Sequence, residues 1–368
     1  MHKTYDVAAY IWPSYHPDPR AKIFWPAGIG EWETVLSTKA KFQGHEQPRF
    51  PLWGCVNEAD PLVMEMQINA AADHGVNVFI YDWYWYDGMP FLEGCLNDGY
   101  LKARNNGRVK FCIMWANHDV GNLWDKRNAG LKNDTLLWKG AMDREEFEVI
   151  GRRMLAKYFR HPSYYKIDGK PVFIIYDPTM MVRGLGGVKK TREALDWFRK
   201  ETAKAGLKGL NIQLILRGPK YMITDAAGKK ICTQQELAEK LGLDAVTHYQ
   251  NCATNVDIDY RDVVKNFDKE AARIEKEFPV PYYSHVSVGW DNNPRHKMYI
   301  PGITKNSNPA NFEKVLRKAK AFVDARPKQA PFITVNSWNE WTEASYLQPC
   351  TMHGYGYLEA VKRVFGGK

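Results

Sequence analysis

Asn77–Trp83, NVFIYDW, is an apolar run rich in Val, Ile, Phe and Tyr that ends on an aspartate and a tryptophan. An amphipathic segment, Pro61–His74, leads into it and stops at Gly75, a residue type favoured just past a helix C-terminus. A second helix-period segment, Phe91–Arg104, follows it. This strand-then-helix unit recurs along the chain. Before it stands Asp6–Trp12 (DVAAYIW), separated by a long loop. After it come Val109–Trp115 with a helix over Arg144–Arg160, Lys170–Tyr176 with Thr191–Ala205, and Asn211–Arg217 with Gln234–Leu241. Asp244–Tyr249 precedes Tyr260–Phe278, Pro281–Val288 precedes Pro309–Ala325, and Phe332–Ser337 leads to a closing helix near Tyr357–Phe365.

Eight alternating units imply a parallel sheet with its helices outside, and eight suffice to close a barrel. The expected fold is a single (β/α)8 TIM barrel over residues 1–368, with extended loops at its C-terminal face. An open doubly wound sheet is the competitor, but no glycine-rich G-x-G-x-x-G turn links a strand to a helix.

Barrels of this kind place their chemistry where the strands end. The residues there are strongly biased. Strand one delivers Tyr10, Trp12 and His16, and strand two Asp82, Trp83 and Trp85. Strand three delivers Trp115, Asn117 and His118, strand four Asp177, strand five Arg217, and strand six Tyr249 with Asn251. Strand seven runs into Trp290 and Asp291, and strand eight into Asn336, Trp338, Asn339 and Trp341. The opposite ends carry ordinary turn residues such as Asp168 and Gly169. Aromatic faces stack on the C–H faces of sugars, and carboxylates, amides and basic groups bind hydroxyls, so this set is expected to line a carbohydrate site. The 13 Trp and 20 Tyr of the chain fit that expectation once they gather at one face.

Within the strand-eight segment NSWNEWTEASYLQP (Asn336–Pro349), Glu340 and Glu343 lie three residues apart between tryptophans. Glycosidic cleavage needs one carboxyl to protonate the leaving oxygen and another to act as base or nucleophile. Flanking indoles would desolvate one carboxyl and raise its pKa. A Glu-x-x-Glu pair is common on exposed helix turns, and it is the position at the last strand end that makes these two the candidate catalytic residues. Asp82, Asp119, Asp177 and Asp291 are rival carboxylates. His118 and Asp119 with Asp291 lack any metal-ligand spacing, and no G-x-S-x-G elbow appears, so neither a metal, a cofactor nor a serine nucleophile is expected.

The chain resembles the WbsX-type, or glycoside hydrolase family 99-like, proteins over nearly its whole length. The matching pieces are AAYIWPSYHPDP, GEWETV (Gly30–Val35), GVNVFIYDWYWYDG, VKFCIMWAN, YKIDGKPVFIIY and WNEWTEASYLQP. The likeness implies a barrel related to family 99 endo-α-mannosidases. It also implies that Glu340 is the base acting on a sugar 2-hydroxyl and Glu343 the acid for the leaving group. A retaining reaction through a 1,2-anhydro sugar would follow. The chain departs from the family pattern at Ala344, Gln348 and His118, so mannose specificity does not carry over.

The remaining composition bounds the partners. The net charge of +9 is spread over helical stretches mixed with Glu, such as NFEKVLRKAK (Asn311–Lys320), with no basic run that would mark a nucleic-acid partner. Arg217 and Arg295 instead make an anionic poly- or oligosaccharide a favoured substrate class. No apolar segment approaches the roughly 18–20 residues that span a bilayer. No leader-like segment precedes Asp6, which leaves localisation open; a periplasmic or secreted site is favoured if a signal peptide has been removed. The six cysteines, Cys252 among them, form no C-x-x-C pair and do not decide the compartment. Two alternatives stand beside a hydrolase. A glycosyltransferase or transglycosylase would require nucleotide-sugar or acceptor binding, and a silent carbohydrate-binding barrel would be indifferent to loss of Glu343.

Overall fold

The computed structural model describes residues 4–128, 134–250 and 256–366; Asn251 and Cys252 lie outside them. Eight parallel strands form the barrel: β1 Asp6–Ile11, β2 Val78–Tyr86, β3 Lys110–Trp115, β4 Lys170–Ile175, β5 Asn211–Ile215, β6 Ala245–Thr247, β7 His285–Ser287 and β8 Phe332–Asn336. Their spatial order is β6-β5-β4-β3-β2-β1-β8-β7. Between the two ends of that order, Val246 donates its N–H to Pro281 O and accepts from Tyr283 N–H. These bonds bring β6 against the chain entering β7, so the sheet wraps into a (β/α)8 TIM barrel with both edges spoken for.

Eight helical elements follow the strands: α1 Pro61–Asp73, α2 Cys95–Tyr100, α3 Arg144–Lys157, α4 Val188–Lys204, α5 Gln234–Leu241, α6 Tyr260–Glu277, α7 Pro309–Asp324 and α8 Gly356–Phe365. Local chemistry fixes several starts. Asp60 caps α1 by accepting from Leu62 N–H, with Pro61 in the first helical turn. Thr233 and Glu236 form a reciprocal capping box on α5.

Two expectations are corrected. The long helix expected over Phe91–Arg104 is a single π-helical stretch, because Met89–Phe91 turns back as an antiparallel strand on the end of β2. Close packing also constrains this segment: a Cβ on Gly99 would lie 2.1 Å from Glu58 O. The strand expected from Pro281 begins only at His285, since the preceding residues are occupied in closing the barrel against β6.

The barrel interior beneath the strand ends is polar. Thr247 Oγ1 lies 2.8 Å from Thr334 Oγ1, and His285 bridges Thr334 and Ser287 at 2.9 Å each. Burial holds the His285 imidazole well below its usual pKa, so it serves as a neutral hydrogen-bonding block. It is the floor on which the site stands.

Candidate active site

A strand alternates its side chains between two faces, and this period divides the aromatic set. On β2, Asp82 and Tyr84 face a cavity of about 180 Å³ at the C-terminal mouth of the barrel. Trp83 and Trp85 point the other way: Trp83 Nε1 donates to Glu93 at 2.7 Å and Trp85 Nε1 to Glu146 on α3 at 2.9 Å. Trp115 packs outward against Phe147 and Phe173, while its neighbours Met114 and Ala116 line the cavity. Trp338 is also outward, donating to Gln67 of α1 at 2.7 Å. The sugar-contact role expected for these four tryptophans is therefore corrected to packing between barrel and helices.

The cavity brings together Trp12, Asp82, His118, Tyr249, Glu340 and Glu343 from the expected set, with Trp25, Glu31, Tyr84, Met114, Ala116, Trp124, Tyr176 and Arg295. Trp12 and Trp124 meet edge to face at 5.4 Å, and Trp12 meets Tyr84 at 5.5 Å, so the wall is an interlocked aromatic surface. Burial lowers the pKa of His118, which sits among Tyr84, Trp124 and Tyr176 as a neutral ring.

Other expected residues support the walls from behind. Asn117 clamps the Asp177 backbone, donating to its carbonyl at 2.7 Å and accepting from its N–H at 2.8 Å. Asp177 caps the short helix Pro178–Gly184 and pairs with Arg217 at 3.1 Å. Arg217 in turn lies 4.2 Å from the centre of the Tyr176 ring. Tyr10 donates to His248 O at 2.9 Å and packs edge-on against Tyr249. His16 is buried against Gly94, where a Cβ would lie 2.5 Å from its Nε2. Trp290 and Asp291 line a neighbouring cavity, in which Asp291 accepts from Gln47 at 2.9 Å and sits 2.8 Å from His45 Nε2. Asn336 is fully buried at the end of β8. Trp341 stacks on Tyr346 at 3.9 Å, its Nε1 donating to Gln348.

Asn339 fixes the turn that carries Glu340 and Glu343 to the end of the first strand. Its Oδ1 accepts from Trp12 N–H at 2.8 Å, and its Nδ2 donates to Trp12 O and to Glu58 Oε2, each at 2.9 Å. Glu340 and Glu343 follow on a tight turn between Asn339–Glu340 and Ser345–Tyr346, which pair antiparallel. Both carboxyls thus face the cavity rather than spreading around a helix.

One guanidinium gathers the charges. Arg295 donates from Nη1 to Glu343 Oε1 at 2.5 Å, from Nη2 to Glu340 Oε2 at 3.2 Å and from Nε to Glu31 Oε1 at 3.0 Å. Glu31 also accepts from Trp12 Nε1 at 2.5 Å and from Thr342 Oγ1 at 3.0 Å. Glu343 takes a further hydrogen bond from the Gln250 amide. Burial, followed by the charge of Glu343, pushes Glu340 well above the usual carboxylate range; burial likewise raises Glu343, with Arg295 opposing it. Burial and their mutual repulsion thus oppose simultaneous ionisation of Glu340 and Glu343. That is the condition for paired acid and base chemistry.

Arg217 and Arg295, which suggested an anionic sugar, are both committed to internal carboxylates, and that basis for the suggestion is withdrawn. Among the described residues no group of three or more His, Cys, Asp or Glu converges to hold a metal ion, and no helix is long and apolar enough to cross a membrane. Glu31, Trp25 and Trp124 sit on loops without periodicity, where strand-end reasoning has no purchase. Tyr84 lies on β2 and Arg295 on the turn Asn293–Arg295 after β7, and only their contacts reveal what they do.

Comparison with known proteins shows the family and the fold. A family model described as Glycosyltransferase WbsX matches residues 7–361. The protein WxcX of Xanthomonas campestris pv. campestris, from strains B100 and ATCC 33913, is 25% identical over 97% of this chain and 49% of its own length. The chain therefore spans about half the length of these curated relatives. The GH99 endo-alpha-mannosidase from Bacteroides thetaiotaomicron superposes with a TM-score of 0.57 at 12% identity, over 97% of this chain and 95% of that one. A glycoside hydrolase-like protein superposes with a TM-score of 0.59 at 16% identity, over 99% and 94%. At such identities the likeness establishes the shared barrel.

Proposed function

The chain belongs to the WbsX family, and from that premise we propose that it is a carbohydrate-active enzyme that cleaves glycosidic bonds in a poly- or oligosaccharide with Glu340 and Glu343. The observation that carries this reading is the pairing itself. Two carboxyls from one turn are bridged by Arg295 inside a cavity walled by Trp12, Trp25, Tyr84 and Trp124. Following the family 99 likeness, ionised Glu340 removes the proton of the sugar 2-hydroxyl, whose oxygen attacks the anomeric carbon. Glu343 protonates the departing oxygen. Water then opens the resulting 1,2-anhydro sugar, and the configuration is retained overall.

The cavity lining carries Glu31, Asp82, Glu340 and Glu343 against Arg295, with His118 neutral. Such a lining suits a neutral sugar at the point of cleavage. It also disfavours a nucleotide diphosphate, since the one guanidinium there is already shared among three carboxylates. The glycosyltransferase reading is favoured only by the family's description.

The test is a product screen of wild type and Glu343→Gln against neutral and anionic polysaccharides, alongside nucleotide-sugar binding. New reducing ends from wild type alone support the proposal. Nucleotide-sugar binding without release would replace it with transfer, and tight glycan binding without release would replace it with a silent binding barrel.

A further inference from the structure

Tyr249 stands between two buried carboxyls. Its hydroxyl oxygen lies 2.7 Å from Asp82 Oδ2 and 2.9 Å from Glu340 Oε1. A phenol has one proton to donate, and burial raises the Tyr249 pKa well above its usual value, so that proton stays on the ring oxygen. It can satisfy one carboxylate. The other carboxyl must then bring a proton of its own and donate it to the phenol oxygen, because two ionised oxygens facing one proton at these distances would leave a buried charge uncompensated.

The surroundings decide which carboxyl carries the proton. Burial and Glu343 push Glu340 upward too, but Glu340 has an opposing cation within reach, Arg295 Nη2 at 3.2 Å from its other oxygen. Asp82 has none. The groups that face it are Tyr10, Tyr84, Tyr249, Glu340 and Glu343, phenols and acids only. Its second oxygen, Oδ1, is buried with no hydrogen-bond partner, a costly state for an ionised carboxylate and a tolerable one for the carbonyl oxygen of an acid.

We propose that Asp82 is held as a neutral carboxylic acid that donates to the Tyr249 oxygen, so that the Tyr249 proton is directed to Glu340 and keeps Glu340 ionised and oriented. Asp82 and Tyr249 are then positioning residues for the base, with Asp82 Oδ1 the buried carbonyl oxygen of the acid. No proton is gained or lost in this arrangement; it only sets which of the three oxygens holds each one. The assignment of Glu340 as base rests on the function proposed above, but the protonation of Asp82 is a property of the unliganded protein and is tested without substrate.

The experiment is infrared spectroscopy of the full chain at neutral pH, in three samples: unlabelled, labelled with carbon-13 at the aspartate side-chain carboxyl, and labelled at that of glutamate. A protonated carboxyl shows a C=O stretch well separated from those of ionised carboxylates. The expected result is an acid C=O band that moves with the aspartate label, is lost in Asp82→Asn and changes frequency in Tyr249→Phe. The isotope measurement needs no variant, so misfolding of either substitution leaves the test intact. An acid band that follows the glutamate label alone, or no acid band at neutral pH, overturns the proposal. A correct band in a protein that cleaves no glycan would sink the hydrolase reading and leave the proton assignment standing.

Discussion

Arg295 donates to Glu343 Oε1 at 2.5 Å across 48 residues of chain, tying the loop after β7 to the turn after β8. The same guanidinium reaches Glu340 and Glu31, so a single side chain is shared among three carboxyls from two loops. The carboxyls are buried while Arg295 stays about a quarter exposed, so the attraction is screened less than at an open surface but more than in a dry interior.

Replacing Arg295 by Met is expected to remove the counter-charge while leaving the acids buried. Breaking a buried pair in this way costs about 3–5 kcal/mol. Without the cation the acids are pushed to still higher pKa values, so they ionise at greater cost as pH rises. The deficit should therefore be larger near pH 8 than near pH 5. Urea denaturation of wild type and variant at both values checks this, and a deficit that shrinks with rising pH contradicts it.

The two glutamates should respond differently to amide replacement. In Glu340→Gln the Tyr249 proton can turn back to Asp82 Oδ2, which frees the phenol oxygen to accept the new amide N–H while the amide carbonyl accepts from Arg295, and one crowded charge is deleted. That variant is expected to gain about 1 kcal/mol near neutral pH, the familiar exchange of activity for stability at a strained site. Glu343 meets two donors, Arg295 and the Gln250 amide, and a glutamine there has one oxygen for both. Glu343→Gln is expected to be less stable than wild type. Both should lower turnover by roughly 100-fold or more. Thermal denaturation that ranks the two variants in the opposite order would show that the cluster is read wrongly.

The contrast between Asp82 and Trp83 shows where sequence reasoning ends. Eight strand–helix units were legible because apolar runs and helix periods are local, and the Glu340 and Glu343 turn was legible because it follows the last run directly. Which of two adjacent residues faces the cavity depends on register, and one step along β2 exchanges the barrel interior for the helix layer. Glu31 escaped notice because the loop after β1 has no periodicity to anchor it. Arg217 and Arg295 pointed toward an anionic sugar because their partners Asp177 and Glu343 lie 40 and 48 residues away in sequence.

Trp124 supplies one face of the cavity from the loop after β3, touching Trp12 at 5.4 Å and Tyr84 at 6.0 Å. It makes no hydrogen bond to either glutamate among those seen here, so its loss should weaken sugar binding and spare the chemistry. Trp124→Ala is expected to raise KM by roughly fivefold, about 1 kcal/mol of stacking, with kcat within about threefold of wild type. Steady-state kinetics on the glycan found by the product screen measures both. A collapse of kcat with KM unchanged would assign the indole to the reaction itself.

Glu58 makes the last prediction, because it is fully buried behind the site and has no cation beside it. It accepts from Gln67 at 3.1 Å, Gln348 at 2.9 Å and Asn339 at 2.9 Å. These donors favour the charged form, yet burial dominates and pushes its pKa from 4.5 up to about 7. A carboxyl raised on folding contributes stability that is fully present below its unfolded pKa and is lost as pH rises through the folded one. For Glu58 the window runs from about pH 4.5 to about pH 7, and the loss across it is about 3 kcal/mol. In Glu58→Gln that component vanishes, so the stability of the variant, whatever its absolute value, should fall less steeply across the window than that of wild type. The variant also sets an amide against donors that include Asn339, which locates the turn carrying Glu340, and turnover should fall with it. Denaturation midpoints taken through the window in both proteins decide the matter: parallel curves would mean that Glu58 is already ionised at the acid end, with its three amide donors outweighing burial.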